Sequence, residues 1–405
     1  MSANTVAVLD IGSTKVTCLV AELAGEAEVR VQALKTVSCR GLRKGAIADL
    51  TEVSRAVDAA ARAVSNELSV DLGPLIVSVS GPHTEGINAQ GLKLIVPKGR
   101  PITYQDVLEV INHSRSVVLP ADREQVQALP REFKVDGSRD VHRPIGVGGS
   151  KLEVITYIVT ASMTAVQNLE KAVNLADRTV DQMVFAPLAA GIGVLTQDEM
   201  ELGAAVVDIG GGTTDVAIFS KGSLAHGVSI PIASGHISSD IAHLLKTSAD
   251  EAERLKIEAG GAHAKSVGPN ESIEVMQLEQ MQARPLQRKV LVEIIEARVR
   301  EIAGMVRKEL EKSGLYSSLS GGVVLTGGGA QLSGTEKVFE EALKNLRVRT
   351  AEPNLPAKFG SQAGTAVPVG LATFGLQCYD ELAPAGGGSA WKDRVKSLFS
   401  MISGR

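Results

Sequence analysis

The amino-acid sequence predicts an α/β protein with two related domains flanking a cleft, an α+β subdomain inserted into the first, and an amphipathic helix at the C-terminus. Three observations predict it. Val6-Ala-Val-Leu-Asp10-Ile-Gly12-Ser-Thr-Lys-Val16 is echoed by Ala205-Val-Val-Asp208-Ile-Gly210-Gly-Gly-Thr-Thr-Asp-Val216, with the two aspartates 198 positions apart. That spacing fits duplicated domains, because solenoid repeats recur every 20 to 50 residues or so. Between the copies, over residues 82–160, the texture changes from α/β to short alternating runs. Near the end, Ala383-Pro-Ala-Gly-Gly-Gly-Ser389 reads as a flexible linker before a last segment of 16 residues.

In chain order, each copy of the echo reads as a β-hairpin. An apolar run ends in Asp-x-Gly, small and hydroxyl residues make the turn, and a second β-rich run follows at 18–22 or 217–220. Asp49-Leu-Thr-Glu52 has capping-box spacing, and Val53, Ala56, Val57, Ala60, Val64 and Leu68 continue at helical period. A strand at 75–80 leads to the insertion, where alternation at 92–96 and 151–159 predicts strands, 103–118 a helix and Asp136-Gly137 a turn. A helix at 164–176 and a strand at 180–185 restore the α/β pattern before the second hairpin. Helices at 237–245 and 250–258 follow. A long helix then carries Val290, Leu291, Ile294, Ile295, Val299, Ile302, Val306 and Leu310 on one face, ahead of a Gly-rich strand and loop at 321–330. Two small-residue helices stand apart, Pro187-Leu-Ala-Ala-Gly-Ile-Gly193 and Ser361-Gln-Ala-Gly-Thr-Ala366 running on to Gly375. Small residues let helices cross closely, as a hinge beneath a cleft requires; simple packing explains them equally well. The domains expected are 1–81 with 161–195, the insertion 82–160, a second domain 196–380 with an outer lobe at about 231–317, the linker 381–389 and the helix 390–405.

The chain has 405 residues, 44% hydrophobic and 22% charged, with 42 Lys and Arg against 46 Asp and Glu. That composition is globular and excludes disorder or a polycation overall, so no nucleic-acid partner is expected. Cys18, Cys39 and Cys378 form neither a disulfide framework nor a zinc spacing, which fits a reducing cytoplasm. The N-terminus lacks a signal peptide's basic region and apolar core. No stretch nears the ~18 apolar residues of a spanning helix, so membrane contact is expected to be peripheral. Walker A, Gly-x-Ser-x-Gly and His-Glu-x-x-His patterns are missing, and His236 and His243 have no ligand spacing.

A turn of Gly, Ser and Thr offers backbone N–H groups that can cradle phosphate oxygens. Two facing turns can clamp one polyphosphate, with Lys15 neutralising charge. Asp10 and Asp208, at strand ends in the cleft, have the chemistry to hold a hydrated magnesium ion. One such turn alone is an ordinary hairpin; two at symmetric positions are not. At Thr326-Gly-Gly-Gly-Ala330, three glycines leave room for a flat adenine or ribose. Glu253 and Lys256, one helical turn apart, can reach the same ligand or pair with each other.

Asp10-Ile-Gly-Ser-Thr-Lys15, Asp208-Ile-Gly-Gly-Gly-Thr-Thr-Asp215, Leu325-Thr-Gly-Gly-Gly-Ala330 and the two small-residue helices resemble the five-part nucleotide signature of the actin, DnaK-type chaperone and sugar kinase superfamily. Within that superfamily the chain most resembles the bacterial cell-division FtsA family over nearly its whole length, through the insertion at 82–160, the stretch 206–217 and the tethered tail. Residues 235–241 and Glu253-x-x-Lys256 are weaker matches. The resemblance implies an actin-like fold with ATP in the cleft. Its phosphates would lie at Gly12, Ser13, Thr14 and Lys15 and at Gly210, Gly211, Gly212, Thr213 and Thr214. Mg would sit near Asp10 and Asp208 through water, and adenosine at Glu253, Lys256, Gly327, Gly328 and Gly329. Hydrolytic relatives carry Glu or Gln near the start of the first small-residue helix, whereas this chain reads Val184-Phe185-Ala186-Pro187. Alanine cannot position water, so weak ATPase activity at most is expected, and no catalytic residue is assigned.

In the final segment Trp391, Val395, Leu398, Phe399 and Ile402 form one apolar helical stripe, with Lys392, Arg394 and Lys396 beside or opposite it. Four basic residues and one acidic residue from 390 to 405 give +3 in a chain of net charge −4. Such a helix suits the headgroup plane of an anionic membrane; docking on its own protein or on a partner is the alternative. The resemblance implies membrane targeting by this tail and filaments whose many tails add avidity. It also implies the C-terminal peptide of the tubulin-like FtsZ as partner on the outer lobe, and later division proteins. Lys289, Arg298 and Arg300 on the long helix are the candidate contacts for an acidic FtsZ peptide, although each also fits a solvated face. A pilus-assembly actin homologue and an ATP-dependent kinase of the same fold are the competing readings.

Overall fold

The computed structural model describes residues 4–24, 28–138, 141–278, 283–360 and 363–377. The expected linker and membrane helix, residues 381–405, lie outside the described residues, as do Ser361, Gln362 and Cys378.

Strands β1 (Thr5–Ile11), β2 (Lys15–Ala24) and β3 (Glu28–Ser38) form a meander, followed by a small hairpin of β4 (Leu42–Arg43) and β5 (Ala46–Ile47). Helix α1 (Leu50–Leu68) crosses to β6 (Leu75–Val79), and the insertion comprises β7 (Thr84–Leu94), α2 (Tyr104–Arg115), β8 (Arg123–Val135) and β9 (Lys151–Ser162). Next come α3 (Met163–Asn174), β10 (Val180–Phe185), α4 (Ala186–Val194) and α5 (Gln197–Leu202). The second half opens with β11 (Ala204–Ile209), β12 (Thr214–Ser220) and β13 (Ser223–Ile230), then α6 (Ser234–Leu245) and α7 (Ala249–Ala259). The hairpin β14 (Ser272–Met276) and β15 (Ala283–Gln287) leads into α8 (Arg288–Lys312). The described chain ends with β16 (Gly322–Thr326), α9 (Thr335–Leu343), β17 (Val348–Thr350) and α10 (Ala366–Gln377).

Duplication is visible in the sheets. The first runs β10-β6-β1-β2-β3 and the second β17-β16-β11-β12-β13, each a parallel trio extended by an antiparallel meander. Both faces of the inner parallel strands β1, β6, β11 and β16 are covered, which is why they read as largely apolar runs. Ala7 and Leu9 of β1 pack beneath α1 and α3, while Val8 turns inward to a core shared by both halves. In β11, Val207 and Ile209 point to the helices of the second half and Val206 to the same shared core. Helices α4 and α10 fill that shared core. They cross so closely that a Cβ on Gly370 would lie 1.7 Å from the Ala189 carbonyl oxygen, and one on Gly193 2.2 Å from that of Ala366.

Local differences from expectation have identifiable causes. Asp49 caps α1 by accepting the Glu52 N–H, but the Glu52 carboxylate turns away to accept from Arg40 N, so the capping box is half made. Along α8 the buried face includes Val292 and Ala303, whereas Val290 in the first turn is exposed. The second small-residue helix begins at Ala366, and Ala363 and Gly364 ahead of it form a turn. The insertion contains a strand that periodicity misses: β8 is an edge strand of the β7-β9-β8 sheet, with register shifts at Gln125/Gln127 and Pro130/Glu132. An edge with bulges is where a strand tolerates proline and polar residues. Asp136 and Gly137 both take positive φ and make the expected turn.

Candidate functional site

The two hairpin turns are built alike and face each other. In the first, Gly12 N donates to Lys15 O over 2.9 Å; in the second, Gly210 N donates to Thr213 O over 3.0 Å. A Cβ on Gly211 would stand 2.3 Å from Thr14 Cγ2, and one on Gly212 2.2 Å from Ser13 Oγ. Any side chain at either glycine would wedge the turns apart. Between them opens a cavity of about 510 Å³, within the roughly 300–1,000 Å³ range of small-molecule sites.

Nearly all the sequence-predicted residues meet here: Asp10, Gly12, Ser13, Thr14, Lys15, Asp208, Gly210, Gly211, Gly212 and Thr213 line the cavity at one end. Glu253, Lys256, Gly327, Gly328 and Gly329 line it as well. Thr214 does not: it is fully buried below the turn, its hydroxyl donating to Ile232 O at 2.7 Å. Successive side chains of β12 alternate between the faces of the sheet, so Thr214 turns away from the cavity that its neighbour Asp215 lines, and a sequence window cannot place where that alternation starts. Gly327 has φ +86°, and a Cβ there would lie 2.1 Å from Asp208 Oδ1, so this loop requires glycine. Glu253 and Lys256 pair at 2.8 Å, and Ser238 also donates to Glu253, so the two side chains form the ion pair and line the cavity together.

Several lining residues escape the sequence reading. Ser78 on the neighbouring β6 accepts Ile11 N at 3.2 Å and donates to Asp10 at 2.7 Å. Asp215 lines the cavity, only 6% exposed, with the hydroxyls of Ser229, Ser80 and Thr213 around its carboxyl moderating the effect of burial, while its Oδ1 has no partner. It pairs in register with Asp208, where the first hairpin places Thr17 opposite Asp10. Burial is the main cause that raises the Asp10 and Asp208 carboxyls above the ordinary range. Asp208 is pushed further by the charges of Asp215, Asp10 and Glu352. Burial also lifts Asp215, to about 6. Lys15 Nζ donates to Ala363 O at 3.0 Å. Ala186, first residue of α4, lines the cavity with no functional group.

A hydrated cation fits this chemistry, since three carboxylates converge and one buried oxygen is unsatisfied. Among the described residues no three acidic, imidazole or thiol groups lie close enough to ligate an ion directly. His236 has another role: its Nδ1 accepts Ala233 N at the start of α6. On α8, Arg298 makes two bonds to Asp240 (2.7 and 2.8 Å) and one to Glu301, and Arg300 pairs with Glu296 and Glu341. Lys289 is exposed.

Comparisons with known proteins agree with this architecture. A family model described as cell division protein FtsA matches residues 205–370, and one described as the SHS2 domain inserted in FtsA matches 81–160. The chain is 33% identical over 372 residues to the cell division protein FtsA of Pseudomonas aeruginosa, covering 91% of this chain and 88% of that one. It is 34% identical over 381 residues to the FtsA of Escherichia coli K12, covering 92% and 90%. Solved structures share the fold at lower identity. A PilM-PilN type IV pilus biogenesis complex aligns with TM-score 0.62 at 15% identity, covering 92% of this chain and 98% of that one. MreB5 of Spiroplasma citri bound to ADP aligns with TM-score 0.56 at 15% identity, covering 92% and 96%. The pilus protein is therefore similar in fold, while sequence identity along nine-tenths of the chain, the matching insertion and the duplicated actin-like halves around one cleft show that this chain belongs to the FtsA family of bacterial cell-division proteins.

Proposed function

We propose that the chain binds ATP with Mg in its interdomain cleft, polymerises on the cytoplasmic face of the membrane at the division site, and tethers FtsZ there through its C-terminal amphipathic helix. The observation that carries the nucleotide reading is the pair of facing glycine turns, closed by the same Gly-to-residue hydrogen bond in each half. Their free N–H groups and Lys15 would receive the phosphates, and the loop at Gly327, Gly328 and Gly329 with the Glu253–Lys256 pair would receive the adenosine. Magnesium would supply charge neutralisation of the phosphates, held through water by Asp10 and Asp208. Ala186 offers nothing to orient an attacking water, so ATP serves assembly, with turnover below about one per second.

The membrane reading rests on the apolar stripe of Trp391, Val395, Leu398, Phe399 and Ile402 and the basic Lys392, Arg394 and Lys396. No described helix is long and apolar enough to cross a membrane. For the acidic FtsZ peptide, Arg298 and Arg300 would have to exchange carboxylates of their own chain, so exposed Lys289 is the contact offered most freely. The test is co-sedimentation of FtsZ with anionic liposomes and ATP, comparing the full chain with one truncated after Ser389. FtsZ pelleting with the full chain alone is expected. If the full chain binds liposomes and leaves FtsZ in solution, the FtsZ assignment fails and the anchor stands; if the chain itself stays in solution, the anchor fails.

A further inference from the structure

The insertion hangs covalently from the first half, between β6 and α3, and bonds to it at Phe185, yet its root at Gly81 and its buried Tyr157 bond to β13 of the second half. We propose that strand β13 gears the inserted subdomain to the nucleotide cleft, so that filling the phosphate end of the cleft re-sets the insertion against the first half. This rests on the nucleotide reading above. The central group is the Ser229 hydroxyl, 4% exposed. It accepts Gly81 N at 3.1 Å, and Gly81 is the last residue before Pro82 opens the insertion. Because that N–H can only donate, the hydroxyl's own proton is free to turn to the Asp215 carboxylate, which Ser229 faces in register across β12 and β13. Asp215 in turn faces the cavity with Oδ1 unpartnered. One hydroxyl thus joins the phosphate end of the cleft to the root of the insertion.

A second tie fixes the insertion to the same strand, and a third fixes it to β10 of the first half beside that strand. The Tyr157 hydroxyl on β9, 1% exposed, accepts Gly227 N at 2.8 Å and donates to Gly227 O at 3.3 Å. Its place exists because Gly86 on the paired β7 lacks a side chain; a Cβ there would sit 1.7 Å from the hydroxyl. Gln127 on β8, 3% exposed, accepts Phe185 N at 2.8 Å, one residue before the cavity-lining Ala186. The Phe185 ring packs over Gly227, where a Cβ would stand 2.4 Å away. Breaking such buried bonds without replacement costs about 1–3 kcal/mol each, and those to Ser229 and Gly227 of β13 outnumber the single bond to Phe185, so when the two halves close on a ligand the insertion follows β13 and pivots at Gly81, whose φ of +134° suits glycine alone.

The test places spin labels on the full chain at Val118→Cys, 96% exposed in the insertion, and Asn66→Cys, exposed on α1 of the first half, with Cys378→Ser; Cys18 and Cys39 are buried. Distances are measured without nucleotide, with Mg-ADP and with a non-hydrolysable Mg-ATP analogue, and affinity is measured separately by calorimetry. A nucleotide-dependent shift of about 2 Å or more is expected, the scale of element shifts in switching proteins. Tyr157→Phe should at least halve that shift while changing affinity less than about threefold, under 1 kcal/mol. Ser229→Ala should also halve it. A wild-type distance that ignores saturating nucleotide, or a Tyr157→Phe shift equal to wild type, overturns the gearing and leaves the nucleotide reading intact. Failure of calorimetry to detect nucleotide at all overturns both.

Discussion

Two helical glycines should respond to alanine with opposite sign. Gly370 lies in α10 where it crosses α4, and the added Cβ would be 1.7 Å from the Ala189 carbonyl oxygen. Real Cβ contacts do not fall below 3.0 Å, so the helices must part by at least 1.3 Å, the difference between these values. The obstacle is backbone, which has no rotamer to escape into, and both neighbours are in the shared core. Overpacking of this kind costs about 1–3 kcal/mol and sometimes more. Gly370→Ala is therefore expected to lose about 3 kcal/mol and to weaken nucleotide binding, because α4 and α10 join the two halves beneath the cleft. Gly304 in α8 has nothing within 4 Å of its would-be Cβ. There alanine should gain about 0.5–1 kcal/mol from helix propensity. Urea titrations of both variants, with nucleotide affinity for each, make the comparison internal. Equal stability of Gly370→Ala and Gly304→Ala would refute the claim that the crossing distance is set by backbone contact.

Raising Asp215 from its ordinary value to about 6 means the folded state holds a proton that the unfolded state has released. The sign follows: stability of the ligand-free protein should fall between about pH 4 and pH 6, by about 3 kcal/mol for a shift near two units, and level off above. Asp215→Asn should flatten that slope in pH-dependent melts, and an unchanged slope would assign it elsewhere. The exposed Arg40–Asp250 pair, which joins the two halves at 2.8 Å, is worth at most about 1 kcal/mol. Arg40→Ala should change nucleotide affinity less than about fivefold, and the difference should vanish in high salt; a larger, salt-insensitive loss would give Arg40 another role. In FtsZ pelleting, Lys289→Glu should weaken capture more than Arg300→Ala, since Arg300 already has two carboxylate partners; the reverse order would move the peptide site.

Both hairpins, the capped α1 and the small-residue helices were legible because each depends on local chemistry. Asp-x-Gly ends a strand wherever it is folded, and Gly370 and Gly193 advertise a close crossing by lacking side chains. Long-range placement was not legible. Thr214 belongs to the same motif as Thr213, but strand register buries it, and register is set by pairing with β13. Ser78 and Ser229 sit in ordinary apolar strands; only the neighbour across the sheet makes the one a partner of Asp10 and sets the other opposite Asp215. The i,i+3 and i,i+4 partners Glu301 and Glu296 of Arg298 and Arg300 stand in the sequence, but Asp240 and Glu341, which complete their pairing, lie on other helices. β8 escaped because its proline and polar residues are tolerated at an edge.

The duplicated halves diverge in charge, and that divergence sets a requirement on the ligand. The first turn carries Lys15 where the second has Thr213, and the second strand pair carries Asp215 where the first has Thr17. The cavity is consequently lined by Asp10, Asp208, Asp215 and Glu253 against Lys15 and Lys256. Glu253 and Lys256 neutralise each other, leaving three carboxylates facing one ammonium. A bare triphosphate entering this end meets like charge in a poorly screened cleft, where each close pair costs far more than in water. Under the proposed function, ATP should therefore bind well only with a divalent cation, and the cation's effect should grow with phosphate number. Calorimetry with ATP, ADP and adenosine, in Mg and in EDTA, gives the measurement. A loss on EDTA of at least about tenfold for ATP, near 1.4 kcal/mol, and little or none for adenosine is the expected pattern. Equal losses for ATP and adenosine would mean that the cation acts on the protein as a whole, and that the carboxylates of the second hairpin do not face the phosphates.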